Sequence, residues 1–270
     1  MGIYIKARVS GPTYDADAQA FITAAGITDN TQKTAINTLV DNLKGYNIWT
    51  KMRAIYPFVG GTASSHKWNL KNPLDTNAAF RLTFGGGWTH SSTGAKPNGT
   101  NGYALTYLVP SSHLINNNTS LSYYSRTQIL ESSQECGCQN STGTNVFGLW
   151  FYYNPTSNKA YSDGSYPTNA AVINNTNTKG FQIGSRTSST VLKLFFNNSL
   201  LVTNTNTKSL SLVPESFIIG ATSQNSGAIQ LAYSSKECAF ASIGDGLTDT
   251  EAANFYTAVQ NFNTTLTRNV

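Results

Sequence analysis

Charge is what this chain has least of: only 11% of its 270 residues are Asp, Glu, Lys or Arg. Charged side chains do most acid–base, metal and phosphate chemistry, so their scarcity points away from an enzyme and toward a protein that works by presenting a surface. Cysteine is also sparse, and three thiols cannot all pair within one chain. Cys136 and Cys138 stand one glycine apart, too close for a relaxed bridge, while a bond from either to Cys238 is left open by sequence. No nearby histidine completes the four ligands of a zinc site. The expectation is free thiols in a reducing compartment, with no metal and no cofactor. Long apolar runs are missing as well. No stretch approaches the ~20 apolar residues of a spanning helix, Met1–Arg8 lacks the apolar core of a secretory signal, and Lys6 stands where a myristoylation motif needs Ser or Thr. That implies a chain made in a cytoplasm, without membrane insertion. The 18 Lys and Arg exceed the 13 Asp and Glu by five, but they are scattered singly. Nucleic acid is therefore not an expected partner, since its binders concentrate basic charge on one face.

What the chain does have is 14 Tyr, 13 Phe and 4 Trp, enough buried aromatic area for a real core, set among Asn, Thr, Ser and Gly. Its pattern divides into an N-terminal arm over 1–14, a helical segment over 15–53 and a β body over 54–270 that ends in a closing helix. In the arm, a strand-like run is broken by Gly11-Pro12. Asp15 is placed to cap a helix burying Phe21, Ile22 and Ala25 and stopping at Gly26. Thr28 or Asp29 caps a second, in which Ile36, Leu39, Val40 and Leu43 form one apolar stripe suited to packing on the protein's own sheet. Ile48, Trp49 and Met52 add one more helical turn. From Ala54 to Ser242 short apolar or alternating runs are separated by turn residues. They are Ala54–Val59, Ala79–Phe84, Tyr103–Val109, Leu121–Arg126, Val146–Tyr153, Phe181–Gly184, Val191–Phe196, Leu200–Val202, Phe217–Ala221, Ile229–Tyr233 and Ala239–Ile243. Segments so spaced predict a mainly β, antiparallel two-sheet sandwich. Asn197-Asn198 reads as a two-residue hairpin turn, because Asn tolerates positive φ. Thr248 and Glu251 form a capping box that opens the last helix.

Few residues offer chemistry. A glycosidase needs two carboxylates facing a sugar, and the nearest pair in sequence, Glu131 and Glu135, falls in a polar loop where solvation is the simpler reading. No Gly-x-Ser-x-Gly elbow, Walker loop or dinucleotide fingerprint occurs. Asn116–Asn118 and Asp163 offer oxygens for calcium, but no dense acidic loop accompanies them. Trp88 and His90, in Gly85-Gly-Gly-Trp-Thr-His-Ser-Ser, are the candidate ligand-binding residues, a stacking face and a hydrogen-bonding group beside glycines that permit close approach. The plainer alternative is a glycine-rich bend with Trp88 buried and His90 bonded to loop backbone.

Several runs carry a resemblance. They are Ala54-Ile-Tyr-Pro-Phe-Val-Gly-Gly-Thr-Ala-Ser-Ser-His-Lys-Trp-Asn-Leu-Lys-Asn-Pro, Gly86-Gly-Trp-Thr-His-Ser-Ser-Thr-Gly-Ala-Lys-Pro-Asn-Gly-Thr-Asn-Gly-Tyr-Ala and Leu121-Ser-Tyr-Tyr-Ser-Arg-Thr. The start Asp17-Ala-Gln-Ala-Phe-Ile-Thr-Ala-Ala-Gly-Ile-Thr and the ending Ser242-Ile-Gly-Asp-Gly-Leu-Thr-Asp-Thr-Glu belong with them. In this order they resemble a module of tailed-bacteriophage structural proteins. The resemblance implies a concanavalin A-like or laminin G-like jelly roll in a virion, as a head fibre, tail fibre, receptor-binding or decoration protein. It carries over no catalytic or ligand-contacting residue. Expected partners are other virion proteins, reached through the arm, a host cell-surface glycan, and further copies of the chain in a homo-oligomer such as a trimer. A polysaccharide depolymerase on the same fold and a purely structural particle component are the alternatives.

Overall fold

Two aspartates start the helical part. In the computed structural model, which describes residues 13–153 and 158–270, Asp15 caps α1 (Ala16–Ala24) by accepting from the Asp17 backbone N–H at 3.0 Å. Asp29 caps α2 (Asn30–Gly45), accepting from Gln32 N–H at 2.8 Å. Each side chain satisfies an amide that the first helical turn leaves without a partner. Between them Gly26, at φ +64°, takes the left-handed conformation that ends α1 at little steric cost. Ile36, Leu39, Val40 and Leu43 are fully buried. The extra helical turn is a 3₁₀ turn at Trp49–Lys51. The expected arm falls almost wholly on residues 1–12, outside the described residues.

The body then runs β1 (Met52–Tyr56), α3 (Ala63–His66), β2 (Thr83–Gly85), β3 (Trp88–Ser91), β4 (Gly94–Pro97), β5 (Tyr103–Leu105) and α4 (Pro110–His113). It continues through β6 (Thr119–Ser125), β7 (Cys136–Gln139), β8 (Asn145–Trp150), β9 (Asn158–Ser165), β10 (Ala170–Asn174), β11 (Gly180–Ser188), β12 (Val191–Phe196) and β13 (Ser199–Asn204). Last come β14 (Ile218–Ile219), β15 (Thr222–Gln224), β16 (Ile229–Leu231), β17 (Cys238–Gly244) and α5 (Asp249–Thr265). The first sheet has the order β13-β12-β11-β6-β17-β4-β3, with β1 also on β17; the second has β10-β9-β8-β7-β14-β5-β2, with β15 also on β7 and β16 on β15. The predicted two-sheet sandwich is what forms. Its pairings are antiparallel except β15 on β7, where the chain doubles back at Gly220, φ +89°, and runs parallel. The β12–β13 turn has Asn197 and Asn198 both at positive φ, the conformation that suits the twist of a two-residue hairpin. The Thr248–Glu251 capping box opens α5.

Alternation along the strands builds two cores. Leu192, Leu194 and Phe196 of β12 point between the sheets with Tyr123, Phe147, Leu149, Phe151 and Tyr161. Phe195 points the other way and joins Tyr124, Phe181, Ile183 and Phe240 under α1, α2 and α5. The order of layers is therefore helices, first sheet, second sheet. Three local expectations fail for visible reasons. Phe80 at φ +58° breaks the run Ala79–Phe84, so β2 begins only at Thr83, and Tyr107 at φ +61° stops β5 at Leu105. The stretch after the three glycines is a β3–β4 hairpin in the first sheet rather than a loop.

Candidate functional site

The first sheet carries Trp88 and His90 two residues apart on β3, so their side chains share a face, and the rings stack with centroids 6.2 Å apart. Phe84 packs edge-on against both. The Trp88 indole N–H donates to the carbonyls of Gly85 and Tyr103, so its polar edge is already used by backbone. His90 does not bond loop backbone; its Nδ1 lies 2.9 Å from Nδ1 of His66. One ring must donate and the other accept, which fixes opposite tautomers. Burial, reinforced by the charges of His90 and Arg268, pushes His66 down to about 3. Burial likewise lowers His90. Both are neutral at neutral pH, in a half-buried aromatic cluster.

The acids are placed differently from expectation. Glu131 and Glu135 are not a solvated pair. Glu135 is fully buried, taking the Phe151 backbone N–H at 2.7 Å, the Ser133 and Ser234 hydroxyls and the Lys236 ammonium at 3.0 Å. Glu131 reaches the same ammonium at 3.2 Å and accepts from the backbone and hydroxyl of Ser235. Burial works to raise the Glu131 carboxyl, but those hydrogen bonds and the Lys236 charge outweigh it and hold it below the usual carboxylate range. Asp163 sits elsewhere in the inter-sheet region. It is fully buried between Lys208 at 2.5 Å and Arg186 at 3.2 Å, and the Thr119 hydroxyl donates to it. Carboxylates so engaged neutralise buried cations, which are expensive to leave unpaired. Among the described residues no group of His, Cys, Asp or Glu is arranged to hold a metal ion, and no helix is long and apolar enough to cross a membrane. Cys136, Cys138 and Cys238 are free, buried thiols whose ionisation burial pushes up.

The open ground lies on the outer face of the second sheet. Inward residues of β8 are Phe147 and Leu149, continued by Phe151 just beyond it; the outward row is Val146, Gly148 and Trp150, which clusters with Ala160, Tyr166 and Val172. The Trp150 ring meets Tyr166 edge-on at 5.3 Å. Against this cluster is a hollow of about 260 Å³ lined by Gln134, Gln139, Val146, Trp150 and Tyr166 among others. A second, of about 490 Å³, shares Tyr153 and Tyr166 with it and continues to Val172, Val202 and Asn204. Among the described residues no charged side chain lines either hollow. Ser133 forms part of the wall, with the Glu131–Glu135–Lys236 network behind it. Trp150 lies in a run predicted as a strand, but its place in a groove was not. The available signal was that Val146–Trp150 is apolar in both phases of its alternation, which says that the outward face is not plain surface.

No protein-family model and no curated protein matches the sequence. Solved structures do share the fold. Domain 4 of an extracellular GH43 arabinanase from Geobacillus stearothermophilus, in complex with arabinotriose, is 15% identical at a TM-score of 0.51, covering 76% of this chain and 98% of that one. A Trypanosoma rangeli sialidase mutant displaying trans-sialidase activity is 11% identical at TM-score 0.53, covering 84% of this chain. The same organism's sialidase with sialic acid is 12% identical at TM-score 0.51, covering 82%. This chain spans 39% and 38% of those two sialidase chains. The likeness is one of β-sandwich architecture.

Proposed function

We propose that this chain is a non-enzymatic structural protein of a bacteriophage particle, a fibre or decoration subunit of head or tail, whose lectin-like sandwich adheres to glycan on the host surface. The observation that carries the adhesive part is the uncharged, aromatic-lined groove on the outer face of the second sheet. Aromatic faces stack on sugar rings while amides bond their hydroxyls. The structural neighbours are compatible with that use, one of them being a domain with arabinotriose bound. The phage assignment is supported by the module resemblance of the sequence runs set out above. The non-catalytic part is supported by the bonding of Glu131, Glu135 and Asp163 to buried cations, which leaves them poorly placed to act as an acid and nucleophile across a sugar ring.

The test combines location with adhesion. Imaging of intact particles should find the chain on the virion, and the purified chain should bind polysaccharide from the host surface saturably without releasing reducing ends. Absence from particles together with failure to bind would sink the proposal. Release of reducing ends would transfer it to the depolymerase reading.

A further inference from the structure

Gln134 is 7% exposed and Trp150 5%, both line the smaller hollow, and neither Gln134 Nε2 nor Trp150 Nε1 has a hydrogen-bond partner among the described residues. An unpaired buried donor costs ~1–3 kcal/mol, and folded proteins keep few of them. Both atoms lie under the wall of the hollow with almost no surface of their own open to it, so an acceptor from outside the chain meets them as the Gln134 and Trp150 side chains turn toward it. The position of the amide is built in. Gly137 of β7 and Gly148 of β8 are register partners, and a Cβ on either would overlap Gln134 Nε2. The paired glycines thus open a slot in which the Gln134 amide lies flat on the sheet beside the outward row that carries Trp150.

We propose that this hollow seats the N-acetyl group of a neutral glycan containing 2-acetamido sugars, a statement that rests on the glycan-binding reading above. With both side chains turned toward the hollow, the acetamido carbonyl oxygen accepts from Gln134 Nε2 and Trp150 Nε1. A carbonyl oxygen has two acceptor positions and no hydrogen of its own, so it satisfies two donors without adding a third; a sugar hydroxyl brings a hydrogen that then needs an acceptor. The methyl group lies against Val146 and the Trp150 ring. Alone, the hollow is below the ~300 Å³ at which small-molecule sites usually begin. Its junction with the larger one at Tyr153 and Tyr166 suits a chain of sugar rings. The absence of charged lining favours a neutral chain over an acidic one, which would bring a carboxylate into a groove with no cation.

The test is titration of the intact chain with tri-N-acetylchitotriose and with cellotriose, which lacks the acetamido groups. Binding is read by calorimetry and by the indole N–H resonance of Trp150, one of four tryptophans. Binding of the acetylated trimer at least tenfold tighter than cellotriose is expected, with a shift of the Trp150 indole signal. Gln134→Met and Trp150→Phe should each weaken it at least tenfold, Gln134→Met without any lowering of the melting temperature. Equal binding of the two trimers overturns the acetamido assignment and leaves glycan adhesion standing. Full-strength binding by Gln134→Met, or an unmoved indole signal in the unaltered chain, overturns the site. Binding of host polysaccharide but of neither trimer refutes this inference alone; binding of none refutes the adhesion reading with it.

Discussion

The first sheet is roofed on its outer side by α1, α2 and α5, whereas the second sheet meets solvent there with a small cluster around Trp150. The roofed side spends a buried cation on closing itself. Arg268, fully buried just beyond α5, donates to the carbonyls of Pro57, Phe58 and Ala239 and to the side chain of Asn263. The open side leaves two donors unpaired in a hollow. Both are polar groups under apolar cover, but one is saturated by its own chain and the other is not. The contrast holds for these groups rather than for the whole faces, since Trp68 Nε1, packed against the roofed core, is unpaired among the described residues too; on the glycan-binding proposal the open pair is the one that a ligand would complete.

The largest expected effect breaks the saturated side. Arg268→Leu leaves three buried carbonyls and the Asn263 amide oxygen without this donor and should cost about 4 kcal/mol, lowering the thermal midpoint by about 10 °C. Burial holds the guanidinium down to about 9, which means that the carbonyl cage only partly offsets its desolvation. A loss under about 1 kcal/mol in thermal or denaturant unfolding would show that α5 is held by apolar packing alone. The comparison between the two faces would then lose its polar half.

A smaller effect separates the faces by pH. His66 has a folded value of about 3 against an ordinary 6.5, so the unfolded chain binds a proton between those values that the folded chain refuses. Its contribution to stability is complete above pH 6.5 and is lost as pH falls toward 3, by about 3 kcal/mol at pH 4. Among the described residues the hollows of the second sheet have no histidine, carboxylate or lysine in their lining, whereas the His66–His90 contact next to Phe58 lies on the first sheet's side. His66→Leu should flatten the decline between pH 6.5 and 4 relative to the unaltered chain. Identical pH profiles would place the acid sensitivity elsewhere.

The roofed side was largely legible in the sequence, and the open side was not. Asp15, Asp29 and Thr248 announced their helices because capping is local chemistry, and Asn197-Asn198 announced its turn for the same reason. Strands β7 and β9 were missed because their sequences are small or polar. In β9, Lys159 and Asp163 are buried through partners outside the strand, Lys159 over the Phe151 and Phe196 rings and Asp163 against Arg186 and Lys208. Trp88 and His90 drew notice through the neighbouring glycines. Their strand places them in an aromatic cluster whose indole N–H is already bonded. The glycines that shape the groove, Gly137 and Gly148, are separated in sequence and meet only through the β7–β8 register, and Gln134 gains its meaning from that pairing.

The smallest expected effect sharpens the contrast, because its sign opposes that of Arg268. Gln134→Met keeps an unbranched side chain that fits the slot over Gly137 and Gly148 but deletes the unpaired amide. Replacing a buried, unsatisfied donor by an apolar group of similar shape removes its desolvation cost, so the variant should be more stable by about 1 kcal/mol in urea unfolding. The same substitution removes the donor that the acetamido group would meet. A gain in stability with a loss of glycan binding is the signature of a group retained for a ligand at the fold's expense. A clear loss of stability would mean that the Gln134 amide is bonded within the folded chain, and the two faces would then be completed in the same way.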